Sequence, residues 1–337
     1  MKRNMIKRIA AVAMAGAMMV SMSVPTMADG EQIEKTNVIQ KSITKGNNVY
    51  TPNTSFTFSV TPGTGHDADI ENNIPKVENG LPEGAYIPKD SKITFAPDQS
   101  KLTDTTVTST AGITIAINKD IFKNAGYGIY RYNVTEVTPN PKYDGMSYST
   151  QTKFLDVYYS KAGFDYLFTN ENSTGKDDGT FVNDYVTGIL TVTKAIGGDQ
   201  AKPTDEFEFT ITINGADGEM YHVEYGASET AEITSGTPTT IKLQGGEKAE
   251  IYGLSAEDSY TVEEADYSSI GYTTTVENKP GRTYSATFKN DNQVDFKNVK
   301  NPIAPTGIVM DIAPYIIMVA AAGVLAFVFL RRRSYTK

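Results

Sequence analysis

The 337-residue chain has no cysteine, no tryptophan and only two histidines, His66 and His222. Without cysteine there is no disulfide framework, no thiolate metal site and no cysteine nucleophile. The two histidines fall in what read as separate domains, which argues against a histidine metal cluster and against a Ser/His/Asp triad. No GxSxG, HExxH or Walker loop occurs, so a conventional enzyme is unsupported and no cofactor is expected. A basic patch with interleaved aromatics is also missing, and with it the usual footprint of nucleic-acid binding.

Long hydrophobic runs are confined to the two ends. MKRNMIKR followed by IAAVAMAGAMMVSMSV has the basic start and apolar middle of a secretory signal, with cleavage expected after Ala28, so that residues 1–28 are a signal peptide. Residues 312–330, IAPYIIMVAAAGVLAFVFL, are long and apolar enough to span a bilayer and stop at Arg331, Arg332 and Arg333. Those arginines stay cytoplasmic, which places the region between the two segments outside the cell. The whole chain has 31 basic and 40 acidic residues; residues 1–28 and 307–337 together hold eight of the basic and one of the acidic ones. The remainder, 29–306, therefore has 23 against 39, a net charge of −16. So acidic a surface repels nucleic acid and anionic membranes.

What fills the interior of the chain is strand after strand. FTFSV (56–60), ITIAI (113–117), FEFTITI (207–213) and YSATF (284–288) alternate apolar and polar positions, with Gly, Asn, Asp and Pro clustered between the runs. No convincing amphipathic helix is visible in the mature region. One-sided alternation fits antiparallel sheets packed in pairs, and the length suits two domains of about 150 residues or less, so two tandem β-sandwiches are expected. The first, 37–187, carries long inserted loops; the second, 188–300, is compact.

The two units repeat a pattern. The first opens with VIQKSITKG and continues to FTFSV; the second opens with LTVTKAIGG and continues to FEFTI. Each then has a Tyr-x-Val-x-Glu, ending at Glu136 and Glu264, and each closes with Phe-x-Asn, ending at Asn183 and Asn298. The strand period of two turns Tyr132, Val134 and Glu136 to one face, and likewise Tyr260, Val262 and Glu264, so each glutamate points into the core. Lys41 and Lys194, each two residues before an isoleucine, lie in line with apolar residues on their own strands. Lys45 shares the face of Lys41 and is its rival; the alignment of Lys-x-Ile favours Lys41.

An inward lysine, an inward glutamate and an asparagine on the last strand have a joint chemistry. Burial disfavours the charged amine and raises the carboxyl pKa, so a neutral amine can attack an amide carbonyl while the acid relays protons and ammonia leaves. The product is a Lys–Asn isopeptide bond, with Glu136 and Glu264 as the proton relays, Lys41 and Asn183 joined in the first unit, and Lys194 and Asn298 in the second.

The ordered triple, occurring twice between a signal peptide and a sorting tail, resembles the isopeptide-stabilised major pilins and collagen-adhesin B-type domains of Gram-positive surface proteins. The resemblance covers nearly the whole mature chain and implies an all-β fold of two immunoglobulin-like sandwiches. IAPTG (303–307), the apolar span and the basic tail, together 303–337, resemble a sortase sorting signal. In such a signal a transpeptidase cuts between Thr306 and Gly307 and passes the threonyl group to an amine. The usual pattern is Leu-Pro-x-Thr-Gly; here Ile303 and Ala304 depart from it, which leaves open which sortase reads it. The implied protein is a non-enzymatic surface protein of the Gram-positive cell wall, a pilus backbone subunit whose partners are a sortase, other pilin subunits and peptidoglycan. The membrane is met only in passing, through the C-terminal segment. The alternative is a monomeric wall-anchored adhesin that contacts a host protein or glycan through loops of the first domain between 61 and 112. Pilins of this type offer an acceptor lysine; Lys176 in STGKDDGTFVN occupies a suitable place, with Lys161 and Lys89 as rivals. Asp67, Asp69, Glu71 and Glu78 fall in an acidic stretch with a partial calcium-loop count, but Asn72 stands where that loop requires glycine, and no metal is expected.

Overall fold

The computed structural model describes residues 32–301 and 315–325. The signal segment 1–28, the IAPTG stretch and the arginine tail lie outside the described residues. Residues 315–325 are helical and exposed; among the described residues no helix is long and apolar enough to cross a membrane.

The molecule is built almost wholly of strands, which fall into two groups. Strands up to Thr180–Tyr185 pair among themselves, and those from Gly188–Gly197 onward pair among themselves. In the second group a seven-stranded sheet, with Gly188–Gly197 and Asn292–Val299 near its middle, faces a four-stranded sheet containing Glu206–Asn214 and Ser259–Glu264. The alternation that predicts these strands is the burial that results. In EFEFTITIN (Glu206–Asn214), Phe207, Phe209, Ile211 and Ile213 are all buried, and they share one core with Leu190, Val192, Val223, Ile251 and Phe296 of the facing sheet. Burying such side chains contributes roughly 1.5–3 kcal/mol each against leaving them exposed.

The first group is more elaborate. A four-stranded sheet runs Met146–Ser147, Thr180–Tyr185, Gln40–Thr44, Thr106–Ser109. Across the core lies a larger sheet in which Gly128–Val137 is flanked by Thr54–Pro62 and Thr152–Ser160. A third, three-stranded sheet holds Gln32–Thr36, Thr114–Asn118 and Ala85–Tyr86. The segment between Pro62 and Thr106 contributes only short strands.

One helix breaks the expectation of none. Lys119–Ala125 follows Asn118, whose side chain accepts from Asp120 N, and buries Phe122 among Tyr130, Tyr132, Tyr159 and Phe164. At seven residues it is too short to display a helical period, and its N-cap and single buried ring define it instead.

In both groups the opening Lys strand and the closing Asn strand are parallel neighbours in one sheet. Lys41 stands opposite Phe181 and Ile43 opposite Asn183; Lys194 stands opposite Phe296 and Ile196 opposite Asn298. This register explains why Lys-x-Ile and Phe-x-Asn recur together. A two-residue offset between parallel neighbours leaves Lys and Asn on the same face of the sheet.

Candidate cross-link sites

Each glutamate comes from the sheet opposite its lysine and asparagine. In the first unit Phe58 pairs with Glu136, and in the second Phe209 pairs with Glu264, so FTFSV and FEFTI play the same part. The Lys41 Nζ donates to Glu136 Oε2 at 2.9 Å, and Asn183 Nδ2 donates to Glu136 Oε1 at 2.7 Å. The Lys194 Nζ donates to Glu264 Oε2 at 2.7 Å, and Asn298 Nδ2 donates to Glu264 Oε1. All four lysine and glutamate side chains are wholly buried. The structure thus brings together both sets of three residues singled out from the sequence.

Aromatic rings wall the amines. Lys41 Nζ lies 4.6 Å from the centre of the Phe56 ring, and Lys194 Nζ 4.0 Å from that of Phe207 and 5.5 Å from that of Phe209. Burial pulls both amines down to about 8, against the opposing attraction of Glu136 and Glu264. Burial also raises the Glu264 carboxyl, although Lys194 and Asn298 oppose it. In the second pair burial therefore works against both charged forms. Each dry site thus holds an amine and a carboxamide within hydrogen-bond reach of one carboxyl, and orientation of this kind can supply roughly 7–11 kcal/mol of a barrier.

The asparagine carbonyls differ. Asn183 Oδ1 accepts from the backbone N–H of Ser149 at 2.8 Å, whereas Asn298 Oδ1 is buried with no hydrogen-bond partner among the described residues. The rival Lys45 is also buried, but it donates to the Leu102 carbonyl at 3.0 Å. Glu263, the neighbour of Glu264, is exposed beside Arg282.

The remaining candidates scatter. Lys176, Lys161 and Lys89 are all exposed. Asp69 accepts from the backbone of Glu71 and Asn72 in its own turn, Glu78 pairs with Lys76, and no three acidic or histidine side chains converge to hold a metal among the described residues.

Two polar clusters escaped sequence reasoning. Arg131 lies on the face of its strand that alternation assigns to solvent, yet it is buried and makes a double hydrogen bond to Asp156, at 2.9 and 3.0 Å. Between the two units, buried Glu219 accepts from Tyr143, Tyr185 and Tyr221, the first two belonging to the first unit. Tyr221 also reaches Asp258, whose carboxyl is raised to about 7 by burial and by Glu219. Gly145 sits against this joint with φ +71, and a Cβ there would lie 2.6 Å from the Val186 carbonyl oxygen. Only a signal that marked Tyr143 and Tyr185 as inward at a domain end could have found the joint.

Fold and sites together define a class: tandem β-sandwiches in which a buried lysine and asparagine on adjacent parallel strands meet a glutamate from the facing sheet. The comparisons bear on the fold of that class. The chain is 26% identical to a pilin of Streptococcus pyogenes serotype M1 over 352 aligned residues, covering 94% of this chain and 96% of that one. The crystal structure of the major pilin from Streptococcus pyogenes superposes with a TM-score of 0.57 at 22% identity, over 82% of this chain and all of that one. A second major pilin structure from that species, T3.2, gives 0.52 at 21%, over 80% of this chain and 99% of that one. A family model described as "Domain of unknown function (DUF7601)" matches residues 188–300. The chain is thus similar along most of its length to a streptococcal pilin, and it has the fold of the major pilins.

Proposed function

We propose that this protein is a pilus backbone subunit, held by two self-formed Lys–Asn isopeptide bonds and joined by a sortase through Thr306. The observation that carries the reading is the pair of dry Lys–Glu–Asn sets, each spanning the first and last strands of its unit. In each, the lysine nitrogen attacks the asparagine side-chain carbonyl. The glutamate takes a proton from the amine and delivers one to the departing nitrogen, and ammonia leaves. Lys41 joins Asn183 with Glu136 as relay; Lys194 joins Asn298 with Glu264 as relay. The two units are the segments 37–187 and 188–300.

The mechanical consequence favours a fibre. Tension entering at one end of the second unit crosses from Lys194 to Asn298 without unzipping the strands between. By the chain-entropy estimate used for disulfides, closing loops of this size adds ~4–5 kcal/mol. Such bonds do not depend on redox potential, which suits an exported chain without cysteine. At the surface, the sortase would break the Thr306–Gly307 peptide bond and form an amide to a lysine of the next subunit, Lys176 or Lys161, or to peptidoglycan at the base.

Intact mass of the secreted form, 29–306, tests the bonds. The expected value is two ammonia below the sequence mass, and a full sequence mass would end the reading. Electrophoresis of wall extracts tests the polymer. A ladder surviving boiling detergent is expected of a pilin, whereas a single wall-linked band identifies a monomeric adhesin.

A further inference from the structure

Resting on that reading, we propose that Arg131 is a positioning residue for intersubunit joining: it locks the loop 170–178 so that Lys176 meets the incoming threonyl group in one geometry.

The argument begins with a cost. A buried guanidinium–carboxylate pair adds little net stability over an apolar replacement, but it fixes whatever its remaining donors hold. Beyond Asp156, Arg131 donates to the Glu171 carbonyl and to the Asn170 carbonyl at 3.4 Å, and it also reaches Ser173 Oγ. Ser173, itself buried at φ +54, donates in turn to Asp156, as does Thr169 at 2.6 Å. Every bond that the guanidinium makes outside Asp156 therefore ends on the first half of this one loop. On the other side of Lys176, Lys153 pairs with Asp177 at 2.9 Å, and Asp177 N donates to the Phe168 carbonyl at 3.0 Å.

Lys176 is left between these anchors. It is exposed, it pairs with no carboxylate among the described residues, and its backbone is tied by a bridge to Thr169. Lys161 instead sits in the hairpin turn between Thr152–Ser160 and Gly163–Thr169, where Ala162 N donates to Ser160 Oγ. Lys176 also lies just ahead of the strand that carries Asn183, so a pull applied there enters the chain next to the proposed cross-link. The joining step balances within the chain. The Thr306–Gly307 amide is broken and a Thr306–Lys176 amide is formed, the transpeptidase carrying the acyl group between them. The proton lost by the Lys176 amine ends on the freed Gly307 amine.

The test uses the full mature chain with a transpeptidase that cleaves IAPTG, scoring each variant separately as acyl donor and as acceptor toward wild-type partner. Arg131→Lys keeps a cation beside Asp156 but cannot reach the loop carbonyls. Ser173→Ala leaves the ion pair intact and serves if the arginine variant does not fold. Acceptor turnover should fall about tenfold in either variant while donor turnover stays unchanged, a split that a general loss of stability would not give. Lys176→Arg should abolish acceptance. Unchanged acceptance in both loop variants, or in Lys176→Arg, alongside a wild-type ladder would overturn this inference and leave the pilin reading standing. Cleavage of IAPTG without any ladder in wild type would overturn both.

Discussion

The two Lys–Glu–Asn sets share register, ring walls and glutamate geometry, and differ in what faces the asparagine oxygen. In the first unit a backbone N–H of Ser149 points at Asn183 Oδ1. In the second, Asn298 Oδ1 has no donor among the described residues, and burial raises the carboxyl of Glu264 beside it. Rotating the Asn298 amide by half a turn would bring its oxygen against Glu264, and a protonated Glu264 would then donate to it. On the proposed cross-linking, the comparison separates two ways of polarising one carbonyl: a fixed backbone dipole in the first unit, a proton on Glu264 in the second. An acid that must both polarise and relay is harder to replace than one that only relays.

The largest effect follows from removing the relays. Glu136→Ala and Glu264→Ala should each restore one ammonia of mass and cost their own unit ~4–5 kcal/mol of stability in chemical denaturation. Glutamine sharpens the contrast. Glu264→Gln should form no second bond, whereas Glu136→Gln should still form the first bond slowly, because the Ser149 N–H remains. Equal rates in the two glutamine variants would erase the proposed distinction.

Unlinked variants expose the titrations next. In Asn298→Ala burial should still hold the folded Lys194 amine down to about 8, against 10.5 unfolded. Between those values the unfolded chain binds the extra proton, so stability rises with pH there, by up to about 1.4 kcal/mol per unit and ~3 kcal/mol in all. Glu264 works in the opposite sense. Its folded pKa is raised above 4.5, so stability falls as pH climbs from 4.5 toward the folded value. A stability curve with a minimum between these arms is expected of the unlinked second unit, and Asn183→Ala should show the same alkaline rise through Lys41. A flat curve across pH 8–10.5 would mean that the amines are not held neutral.

The backbone donor can be removed alone. Replacing the Ser149 amide by an ester deletes the N–H and leaves every side chain in place. First-bond formation, followed by mass after rapid refolding, should slow by about 10²-fold, the usual scale for one oxyanion donor. The second bond should form at its ordinary rate.

How much of this could be read from the residues depends on periodicity. Strands such as Glu206–Asn214 and Asn292–Val299 wrote their burial in alternation, and the inward Glu136 and Glu264 stood out because a carboxylate interrupts an apolar face. The Ser149 donor lies in an irregular segment, where no period points a backbone N–H anywhere. Arg131 was misleading for a different reason. Its face of the sheet would be wet in a plain sandwich; here the loop 170–178 folds back over it and the Phe154 ring lies against the guanidinium. The joint around Glu219 depends on residues from Tyr143 to Asp258, brought together by two separate units, and no local pattern encodes such a meeting.

That joint offers the smallest and most selective test of the comparison, because it couples the two units without touching either cross-link. Glu219 accepts from Tyr143 at 3.2 Å and from Tyr185, while Ala216 N at 2.9 Å and Tyr221 at 3.0 Å hold it from its own side. Tyr185→Phe removes one donor and keeps the ring. A hydrogen bond to a charged acceptor contributes about 1.5–3 kcal/mol, and Tyr143 and Tyr221 remain to share the load, so a loss near the low end is expected. The loss should fall on the coupling. Both bonds should still form by mass, each unit should keep its own denaturation midpoint when separated by proteolysis, and the intact chain should show greater relative motion of the units in NMR relaxation. If instead Tyr185→Phe lowered the yield of the first bond, the joint would be helping to set the Asn183 strand, and the two units could no longer be treated as independent reactors.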